Sequence, residues 1–360
     1  MRLGIIGLAS SGKTTLFQSL IGRADAGDSK GKGGARSQIG VVKVPDPRLA
    51  TLHRLFPESR IVPAAVEFVD VAGGVSEKEK EREKRSSSEG QVMAQLREMD
   101  GLVLVLRAFR DPSVPHPSDR IDPAKDHDEM VTGLKVADLE SVEGRQSRLR
   151  KKEGRGITDA EKRELALLDR IAAWVGEGRD LIDLPLKDEE KKLVRGFQFF
   201  TLKPRVTVVN VDESEIGSGP LPAIPGEAHV IGLCAKVERE IAELPVEERR
   251  EFLKAMGVEE EAAALLIREC YRAMGLRSFF TIGPDETRAW TFAAGDNAVA
   301  AAGKVHSDIA RGFIRAEVVA YDDLVRCGSE KEAKAKGLYR LEGKEYLFRD
   351  GDVTHFKFSV

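Results

Sequence analysis

A short strand-like run, Leu3 to Ile6, leads directly into Gly7-Leu8-Ala9-Ser10-Ser11-Gly12-Lys13-Thr14 and then into a helix-forming stretch from Thr15 to Ile21. No other feature constrains the fold as much, because strand, glycine-rich turn and helix must meet in that order for the turn to work as an anion cradle. Gly7 and Gly12 let the backbone curl tightly, so that successive amides face one polyanion, and the helix N-terminus adds positive potential there. The residues expected to hold the phosphates are Gly7, Ala9, Ser10, Ser11, Gly12, Lys13, Thr14 and Thr15. Lys13 is placed to reach the β- and γ-phosphates, and Thr14 to ligate Mg²⁺.

The rest of the first half fits this start. Short apolar runs at Val66 to Val69, Leu102 to Leu106 and Val206 to Val209 alternate with amphipathic stretches, as in βα units around a mostly parallel sheet. An open α/β sheet places its ligand at the strand ends. At 360 residues the chain suits two or three domains, and 41% hydrophobic residues suffice for a core in each. A net charge of -3, from 57 basic and 60 acidic side chains, excludes a protein that coats nucleic acid by charge alone. Cys234, Cys270 and Cys327 lack the spacing of a disulfide framework or a zinc site. No apolar run approaches membrane-spanning length, and a soluble, cytoplasmic protein without membrane contact is expected.

Two further signals concern the nucleotide. The strand ending in Asp70 is followed by Val71-Ala72-Gly73-Gly74, where a carboxylate can hold Mg²⁺ and a glycine amide can sense the γ-phosphate; a plain strand-ending turn is the alternative. After Val206 to Val209 comes Asn210-Val211-Asp212-Glu213, where GTPases carry Asn-Lys-x-Asp to read guanine. Val211 replaces the lysine and Glu213 is one methylene longer than aspartate, so guanine selectivity is expected to weaken. Cys234-Ala235-Lys236 occupies the place of a base-supporting loop, although by itself it is uninformative. The candidate base-binding set is therefore Asn210, Val211, Glu213, Cys234, Ala235 and Lys236.

From Asp122 to Glu190 the strand signals stop. Leu139, Val142, Gln146 and Leu149, and then Leu165, Leu168, Ala172 and Val175, recur at spacings of three and four, which implies two antiparallel helices. Their turn is basic, with Arg148, Arg150, Lys151 and Lys152, and reads either as a grip on RNA phosphates or as a solvated helix end. After Gly275, glycine-punctuated runs at Phe279 to Ile282, Phe313 to Val319, Tyr346 to Phe348 and Thr354 to Val360 imply a small β-rich domain.

Taken together, these motifs resemble the YchF, or Obg-like ATPase, family of P-loop GTPases. Gly7 to Thr14, Asp70 to Gly73, Asn210 to Glu213 and Cys234 to Glu238 carry the likeness in the first part. Val44-Pro45-Asp46-Pro47-Arg48-Leu49, Phe280 to Pro284, Arg288-Ala289-Trp290, Gly312 to Glu317 and Asp350-Gly351-Asp352-Val353 extend it over almost the whole chain. The resemblance implies an α/β P-loop NTPase domain with a mostly parallel sheet in two parts, residues 1–121 and 191–275. It also implies an inserted helical hairpin at 122–190 and a C-terminal α+β domain at 276–360 similar to the TGS fold, which is β-grasp-like. It further implies a monomer that uses Mg²⁺ with ATP or GTP and associates with ribosomes or rRNA through the hairpin tip and the C-terminal domain.

The chain departs from the family pattern in its switches. Ala9-Ser10-Ser11 stands where Pro-Asn-Val is typical, and the missing asparagine argues against potassium activation. The first switch offers only Ser37 as a substitute for the usual Mg²⁺-capping threonine, in a loop expected to be flexible. Gly74 lies where Ras-like enzymes carry a water-orienting glutamine. Ser37, Gly73 and Gly74 are the expected γ-phosphate sensors, and turnover below about one per second is expected. The alternative is a nucleotide-sensing module that does not hydrolyse.

Overall fold

The computed structural model describes residues 1–22, 37–71, 90, 92–153, 156–217, 220–258 and 260–359. Strand β1 (Arg2–Ile6) is buried from Leu3 onward. Parallel strands covered on both faces are apolar without alternation, and β5 (Gly101–Arg107) is buried along its whole length. β1 pairs in parallel with β4 (Ala65–Val71) and with β5, β5 with β6 (Arg205–Asn210), and β6 with β7 (Val230–Leu233). With β2 (Ser37–Lys43) at the edge, the order is β2-β4-β1-β5-β6-β7. Helix α1 (Lys13–Ile21) buries Leu16, Phe17 and Leu20 and packs on a later helix, here α5 (Ala235–Glu243). β7 is the short apolar run that precedes Cys234, interrupted by Gly232, whereas β2 lacks the uninterrupted apolar run that marks the central strands.

The compact units differ from the expected four-part division. One comprises residues Met1–Gly40 and Glu67–Ala263, the other Val41–Val66 and Ala264–Val360. The hairpin stays with the first unit because its first helix, α3 (Pro123–Glu153), roots Met130, Val131 and Leu134 in the core beside Leu102, Leu104 and Val209. Farther along, α3 and α4 (Asp159–Gly176) share a core of Val142, Leu149, Leu165, Leu168, Ile171 and Val175. The seam includes Ile171, with Ala172 only half-buried, and buried Gln146 donates to Asp169 at 2.6 Å. Thr158 and Glu161 form a reciprocal capping box that starts α4.

A buried ion network lies near the hairpin root. Arg205 at the start of β6 bonds Asp180 and lies 2.9 Å from Glu227; His127 on α3 bonds Glu227 at 2.9 Å, and Lys135 lies 3.1 Å from Asp180. Burial, the largest influence on Glu227 and Asp180, raises their pKa values. For Glu227 the His127 hydrogen bond and the Arg205 charge outweigh it, and for Asp180 Arg205 and Lys135 do; both carboxyls titrate below their ordinary range.

In the second unit the sheet order is β11-β10-β12-β8-β9-β3. β10 (Phe313–Ala320) is antiparallel to β11 (Arg340–Glu342) and to β12 (Asp352–Phe358), and β8 (Leu276–Thr281) is antiparallel to β9 (Glu286–Ala293). β12 runs parallel to β8, and β3 (Arg60–Val62) parallel to β9. Helix α7 (Ala298–Val305) presents Ala298, Ala301 and Ala302, small enough to sit close against Phe279, Phe292, Phe313 and Phe348. Tyr346 to Phe348, expected as a strand-like run, contributes only an isolated bridge from Leu347 to Asn297. Its conspicuous aromatics fill the core instead, with Phe348 buried and Tyr346 against it.

The 41–66 segment belongs here for several reasons besides β3. Asp46 caps α2 (Pro47–His53) by accepting from the Arg48 amide, and Arg48 bonds both Asp46 and Asp350. Ser59 shares a 2.8 Å hydrogen bond with Thr287.

Candidate functional site

β1 delivers Gly7 to the C-terminal edge of the parallel sheet, where the chain turns into α1. A Cβ on Gly7 would lie 2.5 Å from the Val105 carbonyl, and one on Gly12 would lie 2.2 Å from Asn210 Nδ2, with Gly12 at φ +95°. Both positions therefore demand glycine. Ser10 also takes a left-handed conformation, φ +61°, inside the turn. Lys13 folds back over the loop, its Nζ donating to the carbonyls of Gly7 at 2.9 Å and Leu8 at 2.7 Å. Burial pushes the Lys13 pKa down, and the negative charge of Asp70 partly opposes this. Gly12, as the N-cap, has no side chain to cap α1.

Asp70 sits opposite Ile5 in the β1·β4 register, at the same sheet edge. Thr14 Oγ1 donates to Asp70 Oδ2 at 2.9 Å, and Asp70 is 7% exposed. A hydroxyl and a carboxylate beside a lysine form the hard-oxygen donor set that Mg²⁺ takes when phosphate oxygens complete its shell. Among the described residues no cluster of three or more His, Cys, Asp or Glu offers an all-protein cage. The Ser11 hydroxyl is buried in the turn without a hydrogen-bond partner, and the carbonyl of the same residue accepts from Asn210 Nδ2 at 2.9 Å.

Asn210 ends β6 and is buried. Besides holding Ser11, its Oδ1 accepts from the Ala235 amide at 2.9 Å, so one side chain joins the turn after β1 to the start of α5. Ala235 is buried, Lys236 is exposed, and Cys234 is held in a mostly apolar setting that raises its thiol pKa. Val211, one of the expected base-binding residues, is buried and packs into the apolar core with Ile224 and Val209, and its amide donates to the Leu233 carbonyl at 2.9 Å. Glu213 is exposed and begins a 3₁₀ turn, whereas the neighbouring Asp212 carboxylate accepts from the Arg110 amide at 3.0 Å.

The loop after β5 was not foreseen. The amides of Ala108 and Phe109 both donate to the Asn210 carbonyl, at 2.9 and 3.0 Å, and the Arg107 guanidinium lies 4.3 Å from the centre of the Phe109 ring. The available signal was position: these residues follow an apolar strand at the edge that carries Gly7, Asp70 and Asn210. Glu238, one of the family-like residues, accepts the amides of Ala262 and Ala263 and so caps α6 (Ala262–Ala273).

Of the expected γ-phosphate sensors, Gly73 and Gly74 lie outside the described residues. Ser37 opens β2 rather than lying in a loop, and its side chain is likewise outside the description. At the hairpin tip, Arg150 pairs with Asp169 at 2.7 Å and Lys152 with Glu161 at 2.9 Å, while Arg148 Nε donates to the Gly144 carbonyl. Much of the basic charge there is thus compensated within the hairpin. No described helix is long and apolar enough to cross a membrane.

Comparison with known proteins covers the whole chain. A family model described as a 50S ribosome-binding GTPase matches residues 2–138, and the YchF-GTPase C-terminal model, described as a protein of unknown function, matches residues 276–359. A relative from Haemophilus ducreyi named ribosome-binding ATPase YchF is 38% identical, over 100% of this chain and 99% of its own. One of the same name from Bacillus subtilis is 38% identical over 99% of each. The solved structure of a Schizosaccharomyces pombe YchF GTPase superposes with a TM-score of 0.85 at 26% identity, covering 99% of this chain and 97% of that one.

Proposed function

This chain belongs to the YchF family of P-loop NTPases, and on that premise we propose that it binds ATP or GTP with Mg²⁺ at the turn after β1, hydrolyses it slowly and uses the cycle to engage ribosomes. The observation that carries the reading is the convergence of Lys13, Thr14 and Asp70 at one sheet edge, fixed by the bond from Asn210 to the turn. In this reading the loop amides from Gly7 to Thr15 hold the phosphates, and Lys13 exchanges its two carbonyl partners for phosphate oxygens. Thr14 and Asp70 hold the Mg²⁺, which when bound neutralises charge on the β- and γ-phosphates. Asn210, Ala235 and the amides after β5 shape the base pocket. Cys234 and Lys236 flank it.

Guanine selectivity in relatives of this fold needs a carboxylate aimed at the ring. The exposure of Glu213 and the engagement of Asp212 with Arg110 support a preference for ATP over GTP. With glycine at position 74, catalysis rests on positioning and charge, which supports slow turnover. The names of the relatives, together with Arg148, Lys151 and the C-terminal unit, support a ribosomal partner.

Competitive titration of ATP against GTP with Mg²⁺, followed by single-turnover hydrolysis, tests the proposal. Tighter ATP binding with slow, Lys13-dependent product formation is expected. A preference for GTP by orders of magnitude would refute the base assignment, and bound nucleotide that is never cleaved would leave a binding module only.

A further inference from the structure

The helical turns at 92–97 come between β4 and β5 in the chain and end on Arg97, whose side chain reaches both legs of the hairpin. Its Nη2 donates to the Ser141 hydroxyl at 2.7 Å and to the Ala137 carbonyl at 3.3 Å, both on α3. Its Nη1 donates at 2.9 Å to the carbonyl of Phe197, on the segment that returns from the hairpin to β6, and the guanidinium lies 4.4 Å from the centre of the Phe200 ring. Buried Asp138 of α3 fastens the two legs to each other, accepting from the amides of Phe200 and Thr201 at 2.9 and 2.8 Å. At this level the hairpin root moves as one body, and Arg97 grips both halves of it.

The same turns are seated on the strands that carry the nucleotide site. Leu96 and, just after the turns, Met99 press on β1 at Gly4, where a Cβ would lie 3.0 Å from a side-chain carbon of each. Both share one apolar cluster with Leu8 of the phosphate turn and with Val71, the neighbour of Asp70. Lys203, just before β6, locks the end of the turns by donating to the carbonyls of Arg97, at 2.9 Å, and Met99. Close-packed interiors transmit displacements rather than absorb them, so a shift at the end of β1 or β4 on ligand loading reaches Arg97 through Leu96.

Two features separate this contact from ordinary packing. The Ala137 carbonyl also accepts from the Ser141 hydroxyl, at 2.9 Å, so releasing the guanidinium from α3 strands no buried acceptor and the grip is cheap to exchange. In addition, Gln198, next to Phe197, is held at φ +50° and ψ +48°, a left-handed conformation that residues other than glycine seldom take. Such residues persist where their surroundings over-determine them, and they concentrate at clamps and switches. Here the constraint comes from the bonds at Phe197 and Phe200.

We propose that Arg97 is a positioning residue that sets the tilt of the hairpin according to nucleotide occupancy, holding both legs in one state of the site and releasing α3 in the other. This role rests on the nucleotide site assigned at Lys13 and adds the route by which that site moves the hairpin.

Paired spin labels on the full chain test it, at Gln18→Cys on α1 and Ser147→Cys on α3, both exposed, in a Cys327→Ser background whose two other cysteines are buried. Ser147 lies about 15 Å beyond Ala137 along the helix, which makes it a lever for any tilt at Arg97. A non-hydrolysable ATP analogue with Mg²⁺ should move the distance between the labels by about 2 Å or more, and calorimetry on the same samples reports its affinity. In Arg97→Met, which keeps the stem over Phe200 but no donor, the shift should vanish while affinity stays within about tenfold of wild type. Arg97→Lys, with one ammonium where a fork spanned two legs, should retain less than about half of the shift, and it carries the test if the methionine variant fails to fold. A wild-type distance that ignores bound nucleotide overturns the proposal. So does a full shift in either variant, including one in which both states move together, the mark of a merely structural contact. An analogue that fails to bind wild type, as calorimetry alone would show, unseats the assignment at Lys13 and this coupling with it.

Discussion

Asn210 Nδ2 donates a 2.9 Å hydrogen bond to the carbonyl of Ser11, 199 residues earlier in the chain. Because both groups are buried, losing the donor leaves a desolvated carbonyl, and replacing it with a carboxylate sets two acceptors face to face. Asn210→Asp is expected to lower stability by about 1–3 kcal/mol and to weaken nucleotide binding at least about tenfold. Thermal unfolding and titration measure the two effects; an unchanged midpoint and affinity would mean that this bond does not hold the turn.

Gly12→Ala places a methyl group 2.2 Å from that same Asn210 nitrogen, at φ +95°. Gly156 provides the control, at φ +96° with nothing within 4 Å. Gly156→Ala should cost about 1–2 kcal/mol, the strain of the backbone alone, with nucleotide affinity intact. Gly12→Ala should lose affinity outright. Equal behaviour of the two variants would show that the crowding at Asn210 is inconsequential.

Thr14→Val removes the hydroxyl that bonds Asp70 and keeps the volume of the side chain. Hydrolysis should fall by about 10²-fold, and the Mg²⁺ concentration for half-maximal rate should rise. A rate that drops with no change in Mg²⁺ dependence would remove Thr14 from the metal site.

Stability should decline in acid through the network of Arg205, Asp180, Glu227 and His127. The folded pKa values of Asp180 and Glu227 lie below ordinary values of 3.8 and 4.5. A depressed carboxyl adds stability that is complete above its unfolded pKa and is lost as pH falls through the folded one. Denaturant midpoints should therefore hold near neutrality and fall from about pH 4.5 downward. In Glu227→Gln the protein should start from a lower midpoint and lose less on acidification; a parallel pH profile would contradict the assignment.

Within the hairpin tip, Arg150 and Lys152 are paired with acidic partners on α4. Reversing Arg148 and Lys151 to glutamate should reduce pelleting with ribosomes and flatten its salt dependence. Reversing Arg150 alone should chiefly destabilise the hairpin, through like charges at Asp169. Pelleting that is indifferent to Arg148 and Lys151 would move the ribosomal contact elsewhere.

The strand, turn and helix around Gly7 to Ile21 were legible because every determinant is local: a buried run, two glycines and a helix with an apolar face. The edge was legible too, since Asp70 and Asn210 each end an apolar strand. What joins them was not. The Asn210 to Ser11 bond depends on sheet order, and the role of Val211 depends on which way β6 turns its side chains. The heptad pattern located the hairpin seam but missed Ile171, one residue from the expected Ala172. Hardest to foresee was the placement of residues 41–66: β3 has three residues, and the Arg48 partner Asp350 lies 302 positions away. The Val44 to Leu49 motif was conspicuous, yet its purpose appears only in three dimensions.

That excursion of residues 41–66 governs how the molecule can be dissected. A shortened protein stopping before β8 would retain β3 without the β9 edge it hydrogen-bonds, and Arg48 without Asp350, presenting raw sheet edge and an orphaned guanidinium to solvent. Fragments of the nucleotide-binding half should be sticky for that reason, and a well-behaved one would need the segment carrying α2 and β3 replaced by a short polar bridge.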